Sequence, residues 1–136
     1  MRAMPKTLTT VYKLTRPDRT TYQGFLWEPG REYTFPGTGP LCGPGWAHAY
    51  TSPHLAVLLN PIHADFSPAS MRLWSGTGVV GCEDVGLKVG CTSLMLEHEL
   101  PLPAYTLEQR VYFGIQCVQM GFAPDAPFCV WADQWI

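Results

Sequence analysis

Five cysteines (Cys42, Cys82, Cys91, Cys117, Cys129) and four histidines are the first residues in this chain whose chemistry invites a test. Structural zinc takes paired ligands at short spacing, as in C-x2–4-C. Here eight residues lie between Cys82 and Cys91 and five between Cys42 and His48. Neither spacing is diagnostic, and unpaired cysteine is among the most buried residue types, so the thiols read as core groups with no metal expected. Cys42 and His48 also suggest a nucleophile and its base, but nothing beside them marks an oxyanion hole or a group that would activate the thiol. "GTGPLCGPG" (37–45) and "GTGVVG" (76–81) are glycine-rich, yet neither carries the Lys-Ser/Thr of a phosphate loop. Prolines in the first remove backbone donors that a phosphate cradle needs, so both read as turns and no cofactor is expected. "LEHEL" (96–100) sets Glu97 and Glu99 on one strand face and His98 on the other. Paired carboxylates can share a proton or a cation, whereas alternating Glu on a strand is also what a solvated face looks like; His98 among leucines reads as a core histidine. The best remaining candidate is "WAHAY" (46–50), where alternation puts Trp46, His48 and Tyr50 on one side. Such a face can stack a planar ligand, anchor an interface, or pack as core.

The elements that must position these residues follow from punctuation and period. "TVYKLT" (10–15), "TYQGFLW" (21–27) and "EYTF" (32–35) read as three strands of a meander, separated by "RPDRT" and "EPGR" turns. The 36–45 loop delivers the 46–50 strand. A short helix over 53–60 follows, with Ser52 as N-cap, Pro53 at N1 and Asn60-Pro61 as its stop. "SMRLWSGTGVV" (70–80) reads as a strand with a glycine turn inside it, and "CTSLMLEHELPLP" (91–103) as a strand closed by prolines. "TLEQRVYFGIQCVQMGF" (106–122) opens on a Thr106/Gln109 capping box and is apolar nearly all round, which predicts a buried helix. A last helical stretch has Asp125 as its cap, with Phe128, Trp131 and Trp135 spaced to dock. The expected fold is α+β in a single domain over 1–136: an antiparallel sheet starting with an N-terminal meander, a short helix and a buried C-terminal helix.

Bulk properties set the class. Of 136 residues, 46% are hydrophobic and only 15% charged, which excludes a disordered chain. Residues 1–31 carry six basic and two acidic side chains, while 32–136 carry three basic and nine acidic. Arg16, Arg19 and Arg31 belong to the basic part and are candidates for steering an acidic partner. The basic residues are dispersed, which argues against a nucleic-acid footprint. "MRAMPKTLTT" has no apolar h-region, and no apolar run approaches the ~18 residues of a membrane span. An odd cysteine count without a secretion signal points to reduced thiols and a cytoplasmic setting.

"LCGPGWAHAYTSPHLAVLLNPIHADF", "GLKVGCTSLMLEHELPLP", "TLEQRVYFGIQC" and the closing W-A-x-x-W pattern (Trp131, Ala132, Trp135) resemble a family of short uncharacterised proteins of phage and bacterial genomes. The resemblance runs from Val11 onward. It transfers no activity, but it implies a small accessory protein in the cytoplasm of a bacterial host. Proteins of that kind often block a host or defence protein, such as a CRISPR effector, by surface complementarity. The leading expectation is therefore a non-enzymatic binding protein using Trp46, His48, Tyr50 and the three arginines. The competing expectation is a small nucleotide-handling enzyme of the mono-ADP-ribosyltransferase kind, with His48 and Tyr50 around the nicotinamide and Glu97 or Glu99 as its carboxylate. The spacing arguments predict that protein purified without added metal contains no stoichiometric zinc, which elemental analysis checks.

Overall fold

A computed structural model describes residues 7–59, 66–84, 86–121 and 126–134. The chain divides into two compact units, Met1–Pro103 and Ala104–Ile136. The fold class is α+β.

The first unit is a five-stranded antiparallel sheet: β1 (Thr9–Thr15), β2 (Glu32–Thr34), β3 (Ala47–Tyr50), β4 (Arg72–Asp84) and β5 (Lys88–Leu100). Strand order is β2-β5-β3-β1-β4, and β4 also pairs with β5. Four strands thus form a closed circuit, β4-β5-β3-β1 and back to β4, with β2 on the outside of β5. The circuit is narrowest between β1 and β3, where Tyr12 opposite Tyr50 is the registered pair. Its inner side holds Val11, Ala47, Ala49, Trp74, Val89, Cys91, Leu94 and Leu96, all buried, with Trp27 joining them. Burying this set of side chains is the main driving force for the unit.

The β4–β5 hairpin carries the rest. Each arm has 13 residues. Gly86 takes a φ of 73° in the connection, and the Leu87 N–H donates to the Asp84 carbonyl at 2.9 Å. "GTGVVG" is therefore not a turn, as the sequence pattern suggests, but the middle of β4. Its glycines serve close approach: a Cβ on Gly76 would stand 2.2 Å from the Met95 carbonyl oxygen. The register slips between Ser75 and Gly76, so Ser75 faces His98 while Gly76 faces Leu96. That bulge breaks the expected alternation on β5. Leu94 and Leu96 are buried as predicted, whereas His98 lies exposed and is not a core histidine.

The predicted N-terminal meander is not formed. β1 pairs with β3 and β4, and β2 pairs with β5. The segment 21–27 is not a strand either. A 3-10 turn at Tyr22–Gly24 and an isolated bridge between Thr20 and Leu26 replace it. Gln23 and Gly24 both adopt positive φ there, which a strand does not allow. Helix α1 (Pro53–Leu59) starts as expected, with Ser52 Oγ accepting the His54 N–H at 3.2 Å, and it buries Ala56 and Val57. Its predicted stop, Asn60-Pro61, lies outside the described residues.

The second unit holds α2 (Leu107–Gln119) and α3 (Pro127–Asp133). The capping box is complete: Thr106 Oγ1 accepts from Gln109 N at 3.1 Å and Gln109 Oε1 accepts from Thr106 N at 2.9 Å. α2 buries no residue, so the predicted core helix is corrected: it is not a core element of its own unit, and Val111 is 44% exposed. Among the described residues of this unit, Cys129 and Ala132 on α3 are buried. Gln119 Nε2 donates to Asp133 Oδ1 at 2.9 Å, joining the two helices. Two short helices cannot enclose a helix that is apolar on every side, because each covers one stripe of the other. The expected cap Asp125 and the docking residue Trp135 lie outside the described residues.

Gly76→Ala forces β5 backbone to move and should cost about 2–4 kcal/mol, read as a lower urea midpoint at unchanged slope.

Candidate binding cleft

The loop 36–45 and strand β3 set one wall of a cleft in the first unit. Gly45 has to be glycine, since a Cβ there would lie 1.9 Å from the Thr38 carbonyl oxygen. Gly37 N–H donates to the Gly45 carbonyl at 2.7 Å and Gly43 N–H to the Pro40 carbonyl at 2.9 Å, so the loop folds onto itself. Two side chains of the predicted face then tie it back. Trp46 Nε1–H donates to the Gly39 carbonyl at 3.0 Å, and His48 Nε2 is bonded to the Leu41 carbonyl. A carbonyl only accepts, so this bond makes Nε2 the protonated nitrogen of a neutral ring. Burial, opposed by the bond to Leu41 and reinforced by Lys88 and Lys13, holds the His48 pKa below its usual value.

The opposite wall comes from 16–27 and from Phe35, which follows β2. Asp18 Oδ1 accepts from both the backbone N–H and the hydroxyl of Thr20, at 3.0 and 2.6 Å, which sets the turn and lowers the Asp18 pKa. Thr21 N–H bonds the Phe25 carbonyl, and Trp27 N–H bonds the Arg19 carbonyl, both at 2.9 Å. Trp27 Nε1–H donates to Thr21 Oγ1 at 2.9 Å. Phe25, Trp27, Tyr33 and Phe35 form one ring cluster, with centroid separations of 4.8 Å for Phe25–Trp27 and 5.1 Å for Trp27–Tyr33. Tyr22 stands out from the turn, 76% exposed.

Between the walls is a cleft of about 950 Å³, lined by Tyr22, Phe25, Trp27, Phe35, Trp46, Tyr50 and Phe66 and by the polar groups of Lys13, Lys88, His48 and Cys42. That volume is in the range of ligand pockets. Among the described residues, no carboxylate lines it. Lys13 lies on the β1 face that also carries Val11 and Thr15, so strand alternation turns an ammonium toward the core. Its Nζ donates to the His48 carbonyl and stands 5.2 Å from the Trp27 ring centroid. Both contacts favour the charged form, but burial dominates. The Lys13 pKa is lowered to about 8, chiefly by desolvation, with Lys88 lowering it further against an opposing pull from Cys91. Cys91 beneath it is pushed up to about 11 by burial and stays a thiol. Lys88 Nζ reaches Cys42 Sγ at 3.9 Å.

The structure thus brings Trp46, His48 and Tyr50 to one cleft, as their alternation predicts. Tyr50 is buried, its hydroxyl donating to the Leu59 carbonyl at 3.4 Å, while Trp46 and His48 are half-buried. The other proposed groups lie elsewhere. Glu99 is held by Arg72 in a two-point ion pair, at 2.7 and 2.9 Å, which lowers its pKa. Glu97 accepts from Thr77 Oγ1 at 2.6 Å. Neither lines the cleft. Arg16 donates to the Thr21 carbonyl at 2.7 Å and lies over Phe66; Arg31 pairs with Glu28 at 3.3 Å; Arg19 occupies a turn with φ of 67°. The cations that do line the cleft, Lys13 and Lys88, are absent from the sequence reading. The available signal was the inward-facing position of Lys13 between Val11 and Thr15. Among the described residues, no group of three His, Cys, Asp or Glu could hold a metal ion, and no helix is long and apolar enough to cross a membrane. Comparison of the chain with family models, with curated proteins and with solved structures gives no match.

Lys13 has a folded-state pKa below its unfolded value, so the unfolded chain binds more protons between the two. Stability should therefore rise with pH from about 8 to 10.5, by about 2–3 kcal/mol from this group. Denaturant unfolding under reducing conditions checks this: Lys13→Met should lack that gain when compared with the parent protein across the same window.

Proposed function

We propose that this chain is a non-catalytic binding protein that captures a protein partner through the aromatic cleft of its first unit. The observation that carries this reading is the cleft itself: rings from four separate segments line one opening, and Tyr22 and Phe25 at the 16–27 wall remain exposed. Aromatic side chains are the usual anchors of interface hot spots, because they bury much area at small entropic cost. The polar groups support binding rather than turnover. His48 spends Nε2 on the Leu41 carbonyl, and Glu97 and Glu99 are engaged outside the cleft. Among the described residues, no acid–base pair faces the opening.

The resemblance to short phage and bacterial proteins suggests the setting. In that setting the partner is a bacterial host or defence protein, met in the host cytoplasm and inhibited by occupancy. Arg16, Arg19 and Arg31 then act at a distance, steering an acidic partner.

The test is a pull-down from bacterial lysate followed by titration of the captured protein. Tyr22→Ala and Phe25→Ala should each weaken binding about tenfold or more, while Tyr22→Ala leaves stability within about 0.5 kcal/mol. A captured protein that both variants bind equally well overturns the cleft as the site. Transfer of label from NAD to a target overturns the non-catalytic reading.

A further inference from the structure

Among the described residues, the cleft gathers positive charge and no carboxylate. Lys13 from β1 and Lys88 from β5 both line it, and each is held by neutral groups: the His48 carbonyl and the Trp27 face for Lys13, the Cys42 sulfur for Lys88. Among the described residues neither lysine makes an ion pair. Asp84, which faces Lys88 across the hairpin, does not line the cleft. Of the other described acids, Glu28 is paired with Arg31, Glu99 with Arg72, Glu97 with Thr77, Asp18 with Thr20 and Asp133 with Gln119, and Glu32, Glu83 and Glu108 do not line the cleft. Two like charges in a half-buried, ring-lined space oppose each other and folding. An arrangement of this kind is relieved by an anion brought from outside.

We propose that the element a protein partner inserts into this cleft is acidic: a carboxylate seated at Lys13 and Lys88, followed or preceded by an apolar side chain laid on the Phe25 and Trp27 rings. This rests on the reading of the cleft as a partner-binding site and adds the chemistry of what enters it. Charge complementarity selects the carboxylate, because a basic segment would add a third cation to two already in conflict. The rings select an apolar neighbour, because a wholly acidic segment would leave them uncovered.

A seated carboxylate favours charged Lys13. The groups facing Lys13 are Cys91 and Lys88 from β5, His48 from β3 and the Trp27 ring. Cys91, pushed up to about 11, and His48, held below its usual range, do not change charge between pH 7 and 9. Affinity should therefore fall as pH rises through about 8, where free Lys13 loses its proton. Cys42→Ser provides the background for this measurement, since Cys42 stands against Lys88.

The experiment probes an array of immobilised random 12-residue peptides with the full chain, then measures soluble copies of the bound sequences. Bound peptides should be rich in Asp or Glu next to Phe, Trp or Leu. Lys13→Met and Lys88→Met should each weaken them at least about tenfold, and Arg110→Ala, on α2 and not among the cleft-lining residues, by less than about twofold. The fall in affinity from pH 7 to 9 should disappear in Lys13→Arg, which stays charged. Thermal melts of each variant show that the fold is kept; if Lys13→Met does not fold, the Lys88→Met and Lys13→Arg arms decide. Peptides that bind without acidic enrichment, or equally well to the lysine variants, overturn the acidic element and leave the cleft as a partner site. If no peptide binds, or if binding survives Tyr22→Ala and Phe25→Ala, the proposal falls together with the reading beneath it. Binding of free indole-3-acetate in place of any peptide also overturns it, in favour of a small-molecule site.

Discussion

The close approach of β4 and β5 is the constraint on which the first unit depends. Every other strand is paired to one of these two: β1 to β4, β2 and β3 to β5. The approach is possible because Gly76 leaves room for the Met95 carbonyl, and the register shift beside it bends the hairpin. Bulges increase local twist, and a long twisted hairpin can curl far enough for β1 and β3 to meet at Tyr12 and Tyr50. Without that curl the sheet would be open, the inner residues would lack a second wall, and Lys13 would face water.

The cleft is a consequence of the same closure. β3 has four residues, too few to seal the gap that the curled hairpin leaves. The loop 36–45 and the turn 16–27 fill the two sides, held by Trp46 and His48 on one and by Trp27 and Asp18 on the other. Lys13 then stands where burial opposes its charge and a ring face and a carbonyl favour it. Desolvation wins, and the residual conflict with Lys88 is what makes an external anion useful.

Part of this was legible before any coordinates. β1, β2 and β3 fall within a residue or two of their predicted spans, because Pro/Gly punctuation brackets short runs of aromatic and β-branched residues. The shared cleft of Trp46, His48 and Tyr50 follows from simple alternation. The capping box of α2 follows from a local four-residue motif whose two hydrogen bonds need nothing from the rest of the fold. The segment 21–27 failed because its strand-forming residues surround a backbone that reverses at Gln23 and Gly24. His98 failed because the bulge at the adjacent Glu97 shifts the period on which its burial was argued.

The sequence by itself determined the α+β class, most strand positions, the starts of α1 and α2 and the residues of β3 that share a face. These depend on local backbone preference and on periods of two or about three and a half residues, which are written along the chain. Only the tertiary structure decided which strands pair, that GTGVVG is strand rather than turn, that α2 buries no residue, and that Lys13 and Lys88 meet in one cleft. Those outcomes depend on contacts between residues far apart in sequence. Lys13 and Lys88 are 75 positions apart, and what joins them is the pairing of β3 with both β1 and β5. No local period encodes a pairing partner, because the free energy that selects it comes from burial shared by both strands.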